Sequence, residues 1–181
     1  MRLLTGTITL FSLALLAAPV TVGVWSTPDW RASPRFDGRA YLVSDADLVR
    51  QELDPSGAAA VLASADAWRG GTMSEAEALA ELEARGFDGQ LATFEAASGA
   101  FDLAGRWLGA APGALGDLRT PFVAHLSDAG GRLALVRRVA AEHVYVADPL
   151  RGNALHPLAS FLDVWTGQVF VFDTPPPEAP P

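Results

Sequence analysis

The chain has 181 residues, half of them hydrophobic and 19% charged, with a formal net charge of -8. That length leaves room for one compact domain of roughly 130 residues between end segments of different character. An acidic surface of this kind cannot neutralise a phosphate backbone, so nucleic acid is not an expected partner, and the lack of any cysteine removes disulfides, thiolate metal sites and a thiol nucleophile together.

In chain order, Arg2 is followed by an uncharged run over residues 3–25, and the first acidic residue is Asp29. The run is about long enough to cross a hydrocarbon core as a helix of ~20 residues. Ala17 and Ala18 offer small residues for cleavage, but Pro19 follows them and the A-x-A pattern is missing. Residues 1–27 are therefore read as either a signal peptide or an uncleaved membrane anchor. Both readings place the acidic remainder across the membrane, in the periplasm or outside the cell. Residues 28–39 read as a linker, 40–173 as the folded domain, and the Pro-rich 174–181 as a solvated tail.

Within the domain, Ser44 or Asp45 is expected to cap a short helical turn through residues 46–50. After Pro55, Ser56 is placed to cap a Gly-Ala-rich helix, almost wholly apolar and so buried. Ser74 followed by Glu77 forms a capping box for a second helix that Gly86 ends. Met73, Ala78, Leu79 and Leu82 share its apolar face and its glutamates lie on a solvated side. A third helix is predicted over 91–98, after which the A-P-G-A-L-G-D-L-R-T-P segment turns the chain toward a sheet. Its strands are F-V-A-H-L, R-L-A-L-V-R-R-V, H-V-Y-V-A-D and Q-V-F-V-F, short, rich in β-branched and aromatic residues and parted by turn residues. Helices first and strands second give an α+β fold, N-terminal helices packed on a C-terminal antiparallel sheet.

The histidines, His125, His143 and His156, have no H-E-x-x-H or comparable ligand spacing, so neither a metal nor a cofactor is expected. Trp68, Trp107 and Trp165 read as core anchors and are assigned no ligand.

Taken together, R-Q-x-x-D before the buried helix, M-S-E-A-E, P-F-V-A-H-L, G-G-x-L-A-L-V-R, V-A-D-P-x-x-G and F-L-x-x-W-T-G occur in an order that resembles the C39 family of papain-like peptidases. These are the double-glycine leader peptidases, found alone or fused to bacterial peptide exporters. The resemblance covers most of residues 50–172 and implies the papain-like fold. It also implies a site in which a cysteine starts the buried helix, a histidine on a facing strand is the base, and an aspartate orients the imidazole. Carried over, Gln51 matches the glutamine that stabilises the oxyanion and Asp148 matches the orienting aspartate. The cysteine position falls at or beside Ser56, with a spacing from Gln51 one residue short of the family's, so both substitution and deletion stay open.

Arg132 occupies the histidine position. A guanidinium keeps its proton at any relevant pH and cannot serve as a base, and Ser56 without a base is a poor nucleophile, better read as a helix cap. His125 reads as a structural strand histidine of a kind common in the family. A hairpin with Ala140, Ala141 and Glu142 as its loop pairs Val139 with His143 and sets Ala134 opposite Asp148. Arg132 then lies diagonal to Asp148 on one sheet face, where the two are expected to form an ion pair.

The leading expectation is an exported, catalytically inactive C39-like module that binds a peptide or protein partner and meets the membrane through its N-terminal segment if that is uncleaved. The alternatives are an active peptidase using Ser56 or a water, and a structural component of a cell-envelope assembly.

Overall fold

The computed structural model describes residues 41–42, 47–53, 57–128 and 131–174. The signal or anchor segment, the linker, Ser56 and the Pro-rich end beyond residue 174 lie outside the described residues. Among the described residues no helix is long and apolar enough to cross a membrane.

Three helices among the described residues precede most of the sheet, α1 (Gly57–Trp68), α2 (Glu75–Ala84) and α3 (Leu91–Ser98). Among the described residues seven strands form one sheet, β1 (Tyr41–Leu42), β2 (Gly105–Gly109), β3 (Phe122–Leu126), β4 (Arg132–Val139), β5 (His143–Asp148), β6 (Gly152–Pro157) and β7 (Trp165–Phe172), with a short helix α4 (Leu158–Leu162) before the last. Their order is β1-β6-β5-β4-β3-β7-β2, with every neighbouring pair antiparallel. The α+β arrangement of helices on an antiparallel sheet is as the sequence implies.

Period-two alternation gives the sheet two apolar faces. Val123, Leu135, Ala147, Phe170 and Phe172 pack on one side against Val61, Leu62, Leu82 and Phe94 of the three helices. Phe122, Ala124, Ala134, Val136, Val146 and Val169 form the other, covered by Leu115 and by Phe161 of α4. Each Leu or Phe fully buried here contributes about 1.5–3 kcal/mol. Small side chains let α1 lie close to the sheet, with Ala59 through Leu62 wholly buried.

Helix α2 begins as its sequence dictates. Ser74 accepts from the Glu77 amide at 3.2 Å, and the Glu77 carboxylate accepts from the Ser74 amide at 2.9 Å. Gly86 follows the helix with φ 72, a backbone state open to glycine.

Residues 48–50 are not helical, contrary to the expected turn. A helix of five residues has too few internal bonds to hold itself, and Val49 instead bonds sideways to α1. Its amide donates to the Ser64 hydroxyl at 2.9 Å, while Leu48 and Val49 pack on the core. Strands β1, β2 and β6 were not foreseen either. The G-R-W-L-G and G-N-A-L-H-P segments carry turn-like Gly, Asn and Pro in place of β-branched residues, so pairing with β7 and β5 makes them strands, not local propensity. At the sheet edge the Trp107 amide of β2 donates to the Glu95 carboxylate at 2.8 Å, which shields that edge from a further strand.

Candidate functional site

The end of β5 and the approach to α1 meet through the backbone, since the Gln51 amide donates to the carbonyl of Pro149, next to Asp148, at 3.0 Å. The Gln51 side-chain amide donates to the Leu53 carbonyl at 3.2 Å. Its carbonyl oxygen sits 3.2 Å from where a Cβ on Gly57 would be, a tight approach that a side chain there would relieve only by pushing the Gln51 amide back a few tenths of an ångström. Gln51, Arg132 and Asp148 thus gather at one end of the sheet.

Glu75 holds this approach in place. Its carboxylate, buried at 7% exposure, accepts from the Glu52 amide at 3.0 Å and the Leu53 amide at 3.4 Å. This corrects the expectation that the glutamates of α2 all face solvent. An ionised acceptor at a turn of free amides compensates its own desolvation through charge-assisted bonds.

Arg132 and Asp148 lie on the same sheet face and are hydrogen bonded through Nη1 and Oδ2. Two further residues complete the cluster. Arg132 forks onto Asp128, Nε to Oδ1 at 2.8 Å and Nη2 to Oδ2 at 3.0 Å, and Arg151 Nη1 donates to Asp128 Oδ2 at 2.6 Å while standing 3.9 Å from Asp148. The remaining oxygen of Asp148 accepts from the Leu150 amide at 3.0 Å. Two guanidiniums and two carboxylates balance in charge, and both aspartates are almost wholly buried, Asp148 at 3% and Asp128 at 6%. Burial alone would raise the Asp128 carboxyl, but bonds and charge from Arg132 and Arg151 outweigh it and hold its pKa below the ordinary value.

His156 on β6 stands beside this network. Burial first, then the charges of Arg132 and Arg151 against the opposing Asp128, push its pKa down to about 4, so it is neutral at neutral pH. His125 lies 3.1 Å from the Thr166 hydroxyl through Nδ1, and that hydroxyl donates to the His125 carbonyl at 3.0 Å. It is thus tied to the start of β7. Burial lowers its pKa.

Sequence reasoning missed Asp128, Arg151, His156 and Glu75. The only available cue was the four-residue spacing from Asp128 to Arg132. Trp107 packs against Phe94 and Phe170, Trp165 stacks on Phe161, and the Trp165 indole N–H donates to the Gln168 carbonyl at 3.0 Å. An open concavity of about 580 Å³ lies toward the other end of α1, lined by Asp66, Thr72, Met73, Glu81 and Phe101 among others.

One detail of the expected hairpin is corrected. The loop is Ala141–Glu142, closed by the Ala140 amide on the His143 carbonyl at 2.8 Å. Val139 pairs with Val144, not His143, and β4 carries one extra residue before Val136 pairs with Val146. The two offsets cancel, which is why Leu135 faces Ala147 and Ala134 falls level with Asp148.

Helices on an antiparallel sheet, with an aspartate at the end of β5 and a glutamine ahead of the buried helix, make this a module with the papain-like fold of C39 peptidase domains. Solved structures agree. The chain is similar to a double-glycine motif protease from an AMS/PCAT transporter, in complex with its leader peptide, with a TM-score of 0.60 and 16% identity over 77% of this chain and 94% of that one. It is similar also to the peptidase domain of Streptococcus ComA, a bifunctional ABC transporter involved in quorum sensing, with a TM-score of 0.62 and 21% identity over 71% and 97%. The peptidase domain of Streptococcus mutans ComA gives 0.51 at 18% identity over 71% and 99%. No family model and no curated protein matches the sequence.

Proposed function

We propose that this chain is a catalytically silent C39-like module that binds a peptide or protein partner outside the cytoplasm. The observation that carries the reading is the Arg132 guanidinium bonded to Asp148 where a papain-like site needs an imidazole, in a chain with no sulfur nucleophile. A base must release and regain a proton near neutral pH, and a guanidinium does neither. Gln51, Ser56, Arg132 and Asp148 are accordingly the vestigial positions of a lost Cys-His-Asp site. A peptide partner is supported by the fold, since the AMS/PCAT protease is bound to a leader peptide. Export follows from Arg2 and the uncharged run behind it.

The test incubates the purified full chain with a peptide containing a Gly-Gly site and follows products by mass spectrometry, with binding of the same peptide measured by calorimetry. Binding without cleavage is expected. Cleavage lost on Ser56→Ala, together with fluorophosphonate labelling of Ser56, would establish the active-peptidase reading instead. A phosphatase fused after residue 181 should be active only if the domain is exported.

The near-complete burial of Asp128 and Asp148 favours a second reading, a structural component of a cell-envelope assembly whose old centre is filled by its own side chains. A pulldown from membranes separates the two. One stoichiometric protein supports assembly, and heterogeneous unfolded peptides support peptide holding.

A further inference from the structure

Strand β4 holds one residue more than β5 needs. Near the turn Val139 pairs with Val144 and Arg138 with Tyr145, while further along Val136 pairs with Val146 and Leu135 with Ala147. The surplus residue is Arg137, which makes a β-bulge. Side chains alternate between faces, so one extra residue inverts the facing of everything beyond it. Continued from Val139 and Val144 without the bulge, the ladder would set Leu135 level with Asp148. Arg132 would then turn to the helix side of the sheet, away from the aspartate.

Something must hold the surplus at position 137, since a bulge shifted past residue 132 would have the same inverting effect. Arg137 is 4% exposed. Its guanidinium stacks over the Trp68 ring of α1 at 4.6 Å and lies 6.0 Å from the Tyr145 ring, and Nη2 donates to the Asp47 carbonyl. A buried guanidinium displaced from such partners is left uncompensated, so the bulge is pinned where those partners stand.

We propose that Arg137 is the positioning residue of the silent centre, the side chain that places Arg132 on the face of Asp148. The inference deepens the reading of a silent module and depends on it only for the meaning of the Arg132 to Asp148 pairing.

The cysteine-free chain allows a direct test, because a disulfide requires opposed residues whose Cβ atoms point to one face. In the otherwise native chain, Leu135→Cys with Ala147→Cys should close on oxidation and Val136→Cys with Ala147→Cys should not. Deleting Arg137 removes the surplus itself and leaves a regular ladder, so it should keep Leu135 opposite Ala147 and preserve that preference. Arg137→Ala, which keeps the extra residue but loses its anchors, should weaken the preference by at least about tenfold. Closure of 136 with 147 in place of 135 with 147 in the deletion variant, or an unchanged preference in Arg137→Ala, overturns the proposal. Where the deletion variant does not fold, Arg137→Ala decides alone. Cross-linking is read independently of peptide cleavage, so turnover would sink the silent reading without touching the register, and a wrong register would leave the cleavage result standing.

Discussion

Arg132 on β4 and Asp148 on β5 are joined by a hydrogen-bonded ion pair on one face of the sheet, with side-chain exposures of only 11% and 4%. With Asp128 and Arg151 they form a network of two guanidiniums and two carboxylates in which both oxygens of each aspartate are engaged.

Removing one partner from such a network costs more than the pair itself contributes, because the remaining charges stay buried. Arg132→Ala should destabilise the domain by about 3–5 kcal/mol, read as a lower urea midpoint at an unchanged m-value. An effect below about 1 kcal/mol, the range of exposed pairs, would show that the network is solvated.

Stability should fall in acid. The pKa of His156 is depressed in the fold to about 4, so its contribution is complete above the unfolded value near 6.5 and is lost as pH falls toward 4. Over that window one proton adds a slope of about 1.4 kcal/mol per pH unit. Asp128, also depressed, extends the loss to lower pH by the same sign. His156→Gln should flatten urea-derived stability between pH 6.5 and 4, and an unchanged slope would assign the acid loss elsewhere.

Glu75 is the anchor of the segment that carries Gln51, through the amides of Glu52 and Leu53. Glu75→Ala should cost about 1–3 kcal/mol. Hydrogen exchange should show the Glu52 and Leu53 amides losing protection while the core of β3 keeps its own. Uniform loss across the domain would mean that Glu75 acts on global stability alone.

Ser74 should behave as an independent local unit. Ser74→Ala removes the hydroxyl that accepts from Glu77 and should cost about 1 kcal/mol. The cost should add to that of Arg132→Ala within about 0.5 kcal/mol in the double variant, as expected for sites sharing no partner.

Local chemistry was legible wherever a feature depends on neighbours in sequence. The capping box at Ser74 and Glu77, the glycine stop at Gly86 and the span of α3 could be read directly, because each is completed within a few residues. Strands β2 and β6 could not, because their residues become strands only by pairing with partners far along the chain. Glu75 was misjudged for the same reason, since a carboxylate in the first turn of a helix looks solvated until residues 52 and 53 fold back over it.

The amino-acid sequence by itself determined what chemistry is available. Without cysteine there is no thiol nucleophile, and the guanidinium that stands where the C39 resemblance expects a histidine cannot serve as a base. Only the tertiary structure decided where Arg132 points. Facing along a strand flips with every residue, and the short turn at Ala141–Glu142 and the bulge at Arg137 shift the register by one residue each, in opposite senses. Their cancellation depends on Trp68, Tyr145 and the Asp47 carbonyl, contacts that no local pattern in β4 contains.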